Sequence, residues 1–421
     1  MGGKRNTKYQ LSYSFDSLIK RRKSYKVLLL IIVPLTITKC IYAQNATFNI
    51  RGIVINAEDS TPLSHAIVYL SNTTFGTTTS EDGSFYLNDI PSAQYDLVVS
   101  YLGFKGTAVQ VNTLSAENIR IALSPDTSKL KEVVVTFNKD WNKNYTLFRK
   151  YFLGQDDNAV KCEILNPQTL LFTYDSNSTL LTAHAQEPLI IVNKMLGYKI
   201  YYQLKFFQLD LSKNRTTYLG YPHFEELKAK NKSQLQSWER ERKTAYLGSL
   251  NHFLRALYLK QLWEQGFVVK RLSIAKKRNI SNKEIQDEWT GDEYRSVDTL
   301  FIRQDKANKN SDIYTIYPEN IAYDDIFHKQ DQKSYGAISF SNSLYVTYIK
   351  AREDYNYITI RHPDDYDNYA PAYQSSILSM RSSQVTLYKN GNLNDPLGIM
   401  TEGYWSYKQV ADLLPLDYNP K

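Results

Sequence analysis

Two histidine–glutamate pairs have the spacing used by zinc hydrolases. His184-Ala-Gln-Glu187 and His223-Phe-Glu-Glu226 each place a glutamate three residues after a histidine, and a distant histidine would complete the ligand set. His184, however, lies in an alternating pattern that predicts a strand, where positions i and i+3 face opposite sides. Six histidines in 421 residues also make this spacing common by chance. We therefore predict no metal site and no cofactor.

A second group of residues has the chemistry of an anion site. His252 and Arg255 lie three apart on a predicted helix, and Arg240 and Arg242 lie just upstream. Together they could bind a carboxylate or a sugar phosphate. The same pattern is typical of a solvated helix face with intrahelical polar contacts, and we favour that interpretation.

The remaining candidates are single residues or short clusters. Asp364, Asp365 and Asp367 could hold calcium, but EF-hand spacing is absent from the sequence, and an acidic surface loop is favoured. Cys162 would need a nearby base to act as a nucleophile, and the sequence shows none close by, so a buried, inert thiol is expected. The sequence also lacks a glycine-rich phosphate loop and a G-x-S-x-G motif. We assign no catalytic residue, and we favour a protein that is not an enzyme.

Tyrosine is unusually frequent, with 34 residues concentrated at 198–221, 345–357 and 366–373. Its side chain combines apolar area with a hydroxyl, as sugar-binding and protein-binding surfaces require. Most of these residues are expected to fill and border sheets. The remainder favour an envelope protein or a glycan as the partner of the second domain.

The net charge comes from the first 43 residues. The formal charge of +8 reflects 51 basic and 43 acidic residues, and nine of the basic but only one of the acidic residues lie in this segment. The rest of the chain is therefore neutral. This balance removes the main electrostatic support for binding DNA or RNA.

Residues 1–43 have the order of a secretory signal peptide. A basic run at 20–23 precedes an apolar stretch at 27–37, which is shorter than the roughly 20 residues of a membrane span, and Ala43 offers a cleavage position. Retention as an anchor is the alternative, whereas Lys39 argues against lipid attachment at Cys40. We predict an exported protein, periplasmic or outer-membrane-associated, with no transmembrane domain after signal removal.

Short apolar alternations recur about every ten residues between Phe48 and Leu123. Turn residues separate them at 59–62, 81–83 and 90–92. This pattern is typical of an antiparallel β-sandwich of about seven strands.

The motifs of this stretch resemble the carboxypeptidase-regulatory-like domain. They are Gly52-Ile-Val, Pro62-Leu-Ser-His-Ala-Ile-Val, Gly76-Thr-Thr-Thr-Ser-Glu-Asp-Gly-Ser-Phe and Tyr101-Leu-Gly-Phe. The resemblance implies a transthyretin-like β-sandwich over residues 47–124. It also implies that this module is not itself catalytic.

Residues 125–137 are interpreted as a linker and residues 138–421 as a larger α+β domain. Aromatic residues at helical spacing predict a helix over 141–153 that ends at Gly154. A leucine stripe predicts a second helix over 244–265 that ends at Gly266. Strands are predicted within 164–211, at 343–350 and at 384–388, with a tight turn at 390–391 and a short helix near 404–414.

Stretches that begin at Cys162, Glu187, Leu196, Tyr246 and Gly403 resemble exported carboxypeptidase-like regulatory domain-containing proteins of Gram-negative envelopes. This resemblance extends over nearly the whole mature chain and supplies no catalytic residue. We therefore predict a non-catalytic binding or assembly protein of the cell envelope. One alternative is an envelope hydrolase, zinc carboxypeptidase-like or glycan-acting, in the second domain. Another is a structural module whose sandwich docks to a larger envelope complex.

Overall fold

The computed structural model describes residues 47–112, 118–126, 140–278, 299–305, 310–330, 334–361 and 370–420. The predicted signal peptide, most of the predicted linker and the three aspartates Asp364, Asp365 and Asp367 lie outside these residues. From Thr47 onward the chain forms one compact unit.

The N-terminal part is a seven-stranded β-sandwich. One sheet has the order β4-β1-β7 and the other the order β3-β2-β5-β6. The strands are β1 (Thr47–Asn56), β2 (Ile67–Leu70), β3 (Gly76–Thr78), β4 (Ser84–Pro91), β5 (Gln94–Ser100), β6 (Thr107–Asn112) and β7 (Ile119–Leu123). The predicted sandwich is confirmed. The expectation of a wholly antiparallel arrangement is wrong, because β1 and β7 pair in parallel.

Alternation along the strands builds the sandwich core. Ile50 and Val54 of β1 are fully buried, as are Val68 and Leu97 from the opposite sheet. Their side chains project between the two sheets, as strand geometry requires. The sequence pattern that predicted the strands is therefore also the pattern that forms the core.

The larger second region is α+β, as predicted, and its described residues form three sheets. The first contains β8 (Cys162–Ile164), β9 (Leu170–Asp175), β10 (Leu180–Ala185), β11 (Leu189–Asn193), β12 (Tyr198–Asp210) and β13 (Arg215–Glu226). The second contains β14 (Phe267–Arg278), β15 (Thr299–Asp305), β16 (Asn310–Asn320), β19 (Ser343–Arg352), β20 (Tyr373–Met380) and β22 (Ile399–Gly403). The third contains β17 (Phe327–Lys329), β18 (Tyr335–Ile338) and β21 (Val385–Tyr388).

The first helix of the second region lies where the aromatic spacing predicted it. Helix α1 (Trp141–Leu153) is followed by Gly154, which has a φ of 113°. Phe148 and Phe152 are fully buried against the first sheet, where both rings contact Phe207. A one-turn helix, α2 (Asp157–Val160), comes next, and the buried Asp156 caps its first turn.

The single helix predicted over 244–265 is wrong. The chain forms α3 (Lys232–Tyr246), α4 (Leu250–Tyr258) and the short α5 (Leu262–Gln265) instead. The first of these helices ends at Tyr246, because Leu247 is extended with a ψ of 123°, and Gly248 follows with a φ of 82°. Ser249 then starts α4 by accepting a hydrogen bond from the amide of His252. The predicted stop at Gly266 is confirmed, in the left-handed conformation.

The C-terminal elements are shorter than predicted. After α6 (Tyr355–Arg361), the expected helix near 404–414 consists of one turn, α7 (Tyr404–Tyr407), and a 3₁₀ turn at Val410–Asp412. The turn at 390–391 is confirmed, because the amide of Gly391 donates to the carbonyl of Tyr388. None of the helices in the described ranges is long and apolar enough to cross a membrane.

Candidate functional site

The two histidine–glutamate pairs do not form a metal centre. His184 and Glu187 are both exposed, on β10 and just after it. His223 is buried, whereas Glu226 is exposed and forms an ion pair with Arg242 at 3.0 Å. Within the described ranges, no group of three or more His, Cys, Asp or Glu side chains could hold a metal ion.

His223 is instead part of the contact between the sandwich and the second region. Its ring lies 5.1 Å from the ring of Tyr69 in the sandwich and 6.4 Å from that of Tyr201. Gly76 comes so close that a Cβ there would lie 2.7 Å from the imidazole. Burial lowers the pKa of His223, so the imidazole packs there in its neutral form.

The candidate anion site does not form either, because His252 and Arg255 are already hydrogen-bonded within the protein. His252 accepts a hydrogen bond from the amide of Gly248 at Nδ1 and lies 3.1 Å from Gln265 at Nε2. Arg255 donates to the carbonyls of Asn390 (3.0 Å) and Tyr418 (2.9 Å) and to that of Leu416. The favoured interpretation, a solvated helix face, is wrong for both residues, since His252 is only 3% exposed and Arg255 is bonded to backbone carbonyls.

Arg242 is the most deeply buried arginine of this group, at 5% exposure. It donates to the carbonyls of Leu196 (2.7 Å) and Gly197 (3.2 Å), and its guanidinium lies 3.9 Å from the centre of the Tyr198 ring. These contacts fix the turn between β11 and β12 against α3. Arg240 differs, because it is exposed and contacts Ser237 and Glu241.

Cys162 is a buried free thiol at the start of β8. Burial, with smaller contributions from Asp412 and Asp156, raises its pKa to about 12. A thiol with this pKa stays protonated at neutral pH and is a poor nucleophile. The geometry therefore gives it a packing role.

Many tyrosines of the second region are core residues. Those at or below 8% exposure are Tyr198, Tyr202, Tyr246, Tyr258, Tyr314, Tyr348, Tyr357, Tyr388, Tyr404 and Tyr407. Burial raises the pKa of Tyr198, Tyr202 and Tyr404 further above the ordinary value. The apolar area of these side chains is therefore used inside the protein.

Residues 71–75, which connect β2 to β3, attach the sandwich to the edge of β13. The amide of Asn72 donates to the carbonyl of Pro222 at 2.7 Å, and that of Phe224 donates to the carbonyl of Thr73 at 3.0 Å. Through these two hydrogen bonds, the connection pairs in parallel with β13 at the edge of the first sheet of the second region.

The C-terminal segment holds the same connection from its other side. We refer to residues 416–418 as the C-terminal clamp. The amide of Leu416 donates to the carbonyl of Asn72 at 2.6 Å, and the Asp417 carboxylate accepts from both the amide and the hydroxyl of Thr74. Arg255 in turn holds the carbonyls of residues 416 and 418. The sandwich is therefore fixed by hydrogen bonds from residues more than 300 positions away.

An open groove of about 540 Å³ lies on the sandwich, and we call it the sandwich groove. Its lining combines apolar surface with hydroxyl, amide and guanidinium groups, and one of its two aromatic side chains, Tyr86, is 48% exposed. The lining residues are Arg51, Gly52, Ile53, Thr77, Thr78, Ser80, Ser84, Phe85, Tyr86, Asn118 and Ile119. These side chains come from four strands and their connections, which explains why sequence spacing did not reveal them.

A partly buried charge cluster, the second feature that the sequence did not reveal, joins the two ends of the second region. The Lys408 ammonium lies 2.6 Å from Asp156, 3.4 Å from Asp354 and 3.6 Å from Asp412. The three carboxyl groups are up to 256 residues apart in sequence, and each lies in or beside a short helical turn. We call this group the carboxyl cluster.

The sandwich matches a known domain family. Residues 50–135 match the model of the CarboxypepD_reg-like domain, so the carboxypeptidase-regulatory-like domain expected from the sequence motifs is confirmed. No curated protein matches the chain.

Solved structures show only distant similarity. The backbone protein of pilus 2b from group B streptococcus is 18% identical, with a TM-score of 0.18 over 20% of this chain and 43% of that chain. The pilus adhesin RrgA from Streptococcus pneumoniae is 17% identical, with a TM-score of 0.15 over 19% and 15%, respectively. The Bacillus anthracis TIE protein is 11% identical, with a TM-score of 0.17 over 44% and 31%. The chain spans less than half the length of each, and TM-scores this low give no basis for a functional inference.

Proposed function

We propose that the protein is exported and binds a glycan at the cell envelope, without catalysing a reaction. The observation that carries this proposal is the sandwich groove. Its volume suits one or two sugar units, and its walls combine hydrogen-bonding groups with an accessible aromatic ring. The fixed attachment of the sandwich to the second region would present this groove in a constant orientation.

The chemistry of the groove favours a polyhydroxylated ligand. Hydroxyls and amides both donate and accept hydrogen bonds, so Thr77, Thr78, Ser80 and Asn118 match the mixed polarity of sugar hydroxyls. The half-exposed ring of Tyr86 offers a flat apolar surface to the C–H face of a sugar ring. Because the second region uses many of its tyrosines in its core, we place the glycan site on the sandwich rather than there.

The non-catalytic role is supported by the contacts of the candidate residues. His223 and His252 are buried and packed against aromatic rings. Arg242 and Arg255 are bonded to backbone carbonyls, and the thiol of Cys162 has a raised pKa. Each of these groups has a structural task that a catalytic role would have to displace.

Export is inferred from the sequence of residues 1–43, and a periplasmic or outer-membrane-associated location follows from it. Expression of the full chain in a Gram-negative host should yield a processed protein in the envelope fraction, with Gln44 as its first residue. A full-length N-terminus on protein recovered only from the cytoplasm would contradict export.

The ligand class can be tested on an array of bacterial polysaccharides and oligosaccharides probed with purified residues 44–421. We expect specific binding to a subset of the glycans and no release of shortened products. Retention by envelope proteins with no signal on any glycan would overturn the glycan assignment. Release of shortened products would instead establish a hydrolase.

A further inference from the structure

We propose that Asp156 and Asp412 form a proton-dependent latch, in which one shared proton holds the C-terminal segment 409–420 in place and loss of that proton at alkaline pH loosens the C-terminal clamp. The latch is independent of the glycan-binding role. It would make the attachment of the sandwich to the second region depend on pH.

The geometry of the pair favours a proton between its carboxyl groups. Asp156 accepts from the amide of Ala159 at 2.9 Å and from Lys408 at 2.6 Å, while Asp412 Oδ1 accepts from the Asn158 side chain at 2.7 Å. Asp412 Oδ2 is fully buried and, within the described part of the chain, has no N–H donor. The Lys408 ammonium lies 2.6 Å from Asp156 and 3.6 Å from Asp412, so it holds the two carboxyl groups beside each other. A proton on Asp412 Oδ2 would satisfy both groups, whereas two carboxylates would repel each other.

The surrounding charges support the same conclusion. The charged and titratable neighbours of Asp412 are Asp156 and Cys162 beside α2 and Lys408 and Tyr404 at α7. Asp354 lies 3.4 Å from Lys408. Tyr404 and Tyr407 donate to Asp354 at 3.0 and 2.9 Å, and the side chains of Asp156 and Asp412 are 4% and 7% exposed. One ammonium therefore serves three carboxyl groups, of which Asp156 and Asp412 are shielded from water. A second buried negative charge on the pair would have no matching cation in the cluster.

The pKa directions agree with one shared proton. Burial and then the neighbouring Asp156 raise the pKa of Asp412 well above its ordinary value, although Lys408 opposes this shift. Burial also acts to raise the pKa of Asp156, but the hydrogen bond from Asp412 and the ion pair with Lys408 outweigh it, and the net direction is downward. These directions place the shared proton nearer to Asp412, and the two carboxyl groups titrate as one pair.

Opening of the pair would be transmitted along a short piece of chain. Asp412 ends the 3₁₀ turn that packs against α2, and Leu416 of the C-terminal clamp is four residues further on. The amides of Leu416 and Thr74 are both bonded across the contact with the sandwich. These two amides therefore report directly on release of the clamp.

The test is hydrogen exchange of the Leu416 and Thr74 amides, expressed as protection factors, from about pH 6 to about pH 10. Above the pH at which the pair loses its proton, wild-type protection should fall by up to about tenfold per pH unit. Asp412→Asn replaces the shared proton with an amide donor that does not titrate. The protection factors of the two amides should therefore stay constant over the pH range in this variant. Asp395→Asn, a cap of another 3₁₀ turn, is the matched control and should behave as the wild type.

A second variant keeps the test valid if Asp412→Asn does not fold. Asp156→Asn retains the helix cap and also removes the shared proton, so it should likewise abolish the pH dependence. Wild-type protection that does not change over this pH range would overturn the latch. The same fall in protection in the wild type and in both pair variants would overturn it as well.

Discussion

Two guanidinium groups, the buried one of Arg242 and the half-buried one of Arg255, hold segments that have little regular structure. Arg242 fixes the turn before β12, and Arg255 fixes the C-terminal clamp, in both cases through bonds to backbone carbonyls. A backbone carbonyl that loses such a donor inside the protein remains desolvated without compensation. These side chains therefore stabilise the fold far more than exposed arginines do.

Replacement of Arg255 by alanine should lower the free energy of unfolding by about 2–4 kcal/mol, because three carbonyls lose a charged donor. Arg240→Ala, at an exposed position of α3, is the matched control and should change it by less than about 0.5 kcal/mol. Urea unfolding of both variants measures the difference. Equal effects would show that the contacts of Arg255 do not contribute to stability.

The stability of the protein should decrease as pH falls below about 6.5, in part because of His223. Its pKa is lower in the folded than in the unfolded protein because of burial, so the unfolded state takes up the proton first. The stabilisation is complete above the unfolded-state pKa and is lost, by up to about 1.4 kcal/mol per pH unit, during acidification. Urea unfolding at several pH values should show that the free energy of unfolding falls less steeply below about pH 6.5 in His223→Gln than in the wild type. The same pH dependence in the wild type and the variant would contradict the inference.

At the scale of elements, glycines set where strands turn and helices stop. Gly197, between β11 and β12, has a φ of 70°, and a Cβ there would lie 2.2 Å from the Trp238 ring of α3. Gly103, between β5 and β6, has a φ of 82° but nothing within 4 Å of the same position. Both residues thus need a positive φ, but only Gly197 is closely packed against a neighbouring side chain.

This pair of glycines separates backbone strain from steric overlap. Gly103→Ala should cost about 1 kcal/mol, the price of a left-handed conformation for alanine. Gly197→Ala should cost about 3 kcal/mol, because α3 must also move away from the turn. The comparison requires only chemical unfolding of the two variants. If the costs were equal, contact between α3 and this turn would not matter for stability.

Sequence patterns predicted those elements whose cause is local. The aromatic spacing of 141–153 gave the helix and its end, and strand alternation gave the sandwich. The break at 247–248 was missed because leucine spacing continues across it, and only the backbone angles of Leu247 and Gly248 reveal the interruption. The parallel pairing of β1 with β7 was missed because alternation does not encode strand direction.

The candidate sites were harder to predict for a related reason. Asp156 and Asp354 carry no spacing signal, because folding alone brings them to Lys408, whereas Asp412 lies four residues after it. The sandwich groove likewise combines residues from four strands. His252 and Arg255 did have a signal, but residue type could not show that their partners were backbone atoms of the same protein.

At the scale of the whole molecule, the sandwich is an integral part of the structure from Thr47 onward. Residues 71–75 lie between β13 and the C-terminal clamp, with hydrogen bonds to both. Two further bonds join Gln94 of the sandwich to Tyr388 and Asn392 of the second region. Such a contact is expected to couple the folding of the two parts.

Residues 44–421 should therefore unfold in one calorimetric transition. Asp417→Ala removes both bonds to Thr74 and should lower the stability of the sandwich selectively, so that two transitions become resolved. Asn419→Ala, exposed and two residues away, serves as the control and should retain a single transition. Two separate transitions in the wild type would mean that the contact is too weak to couple the parts.

The central claim is that the sandwich groove binds a glycan, and calorimetric titration of the best glycan from the array tests it most directly. Tyr86→Ala should raise the Kd by about tenfold or more, because the groove loses the aromatic surface on which the sugar packs. Tyr174→Ala is the matched control, since Tyr174 is 46% exposed, compared with 48% for Tyr86, and lies on β9 outside the groove. It should bind as the wild type does. Equal affinity of the wild type and both variants would contradict the assignment of the glycan site to the groove.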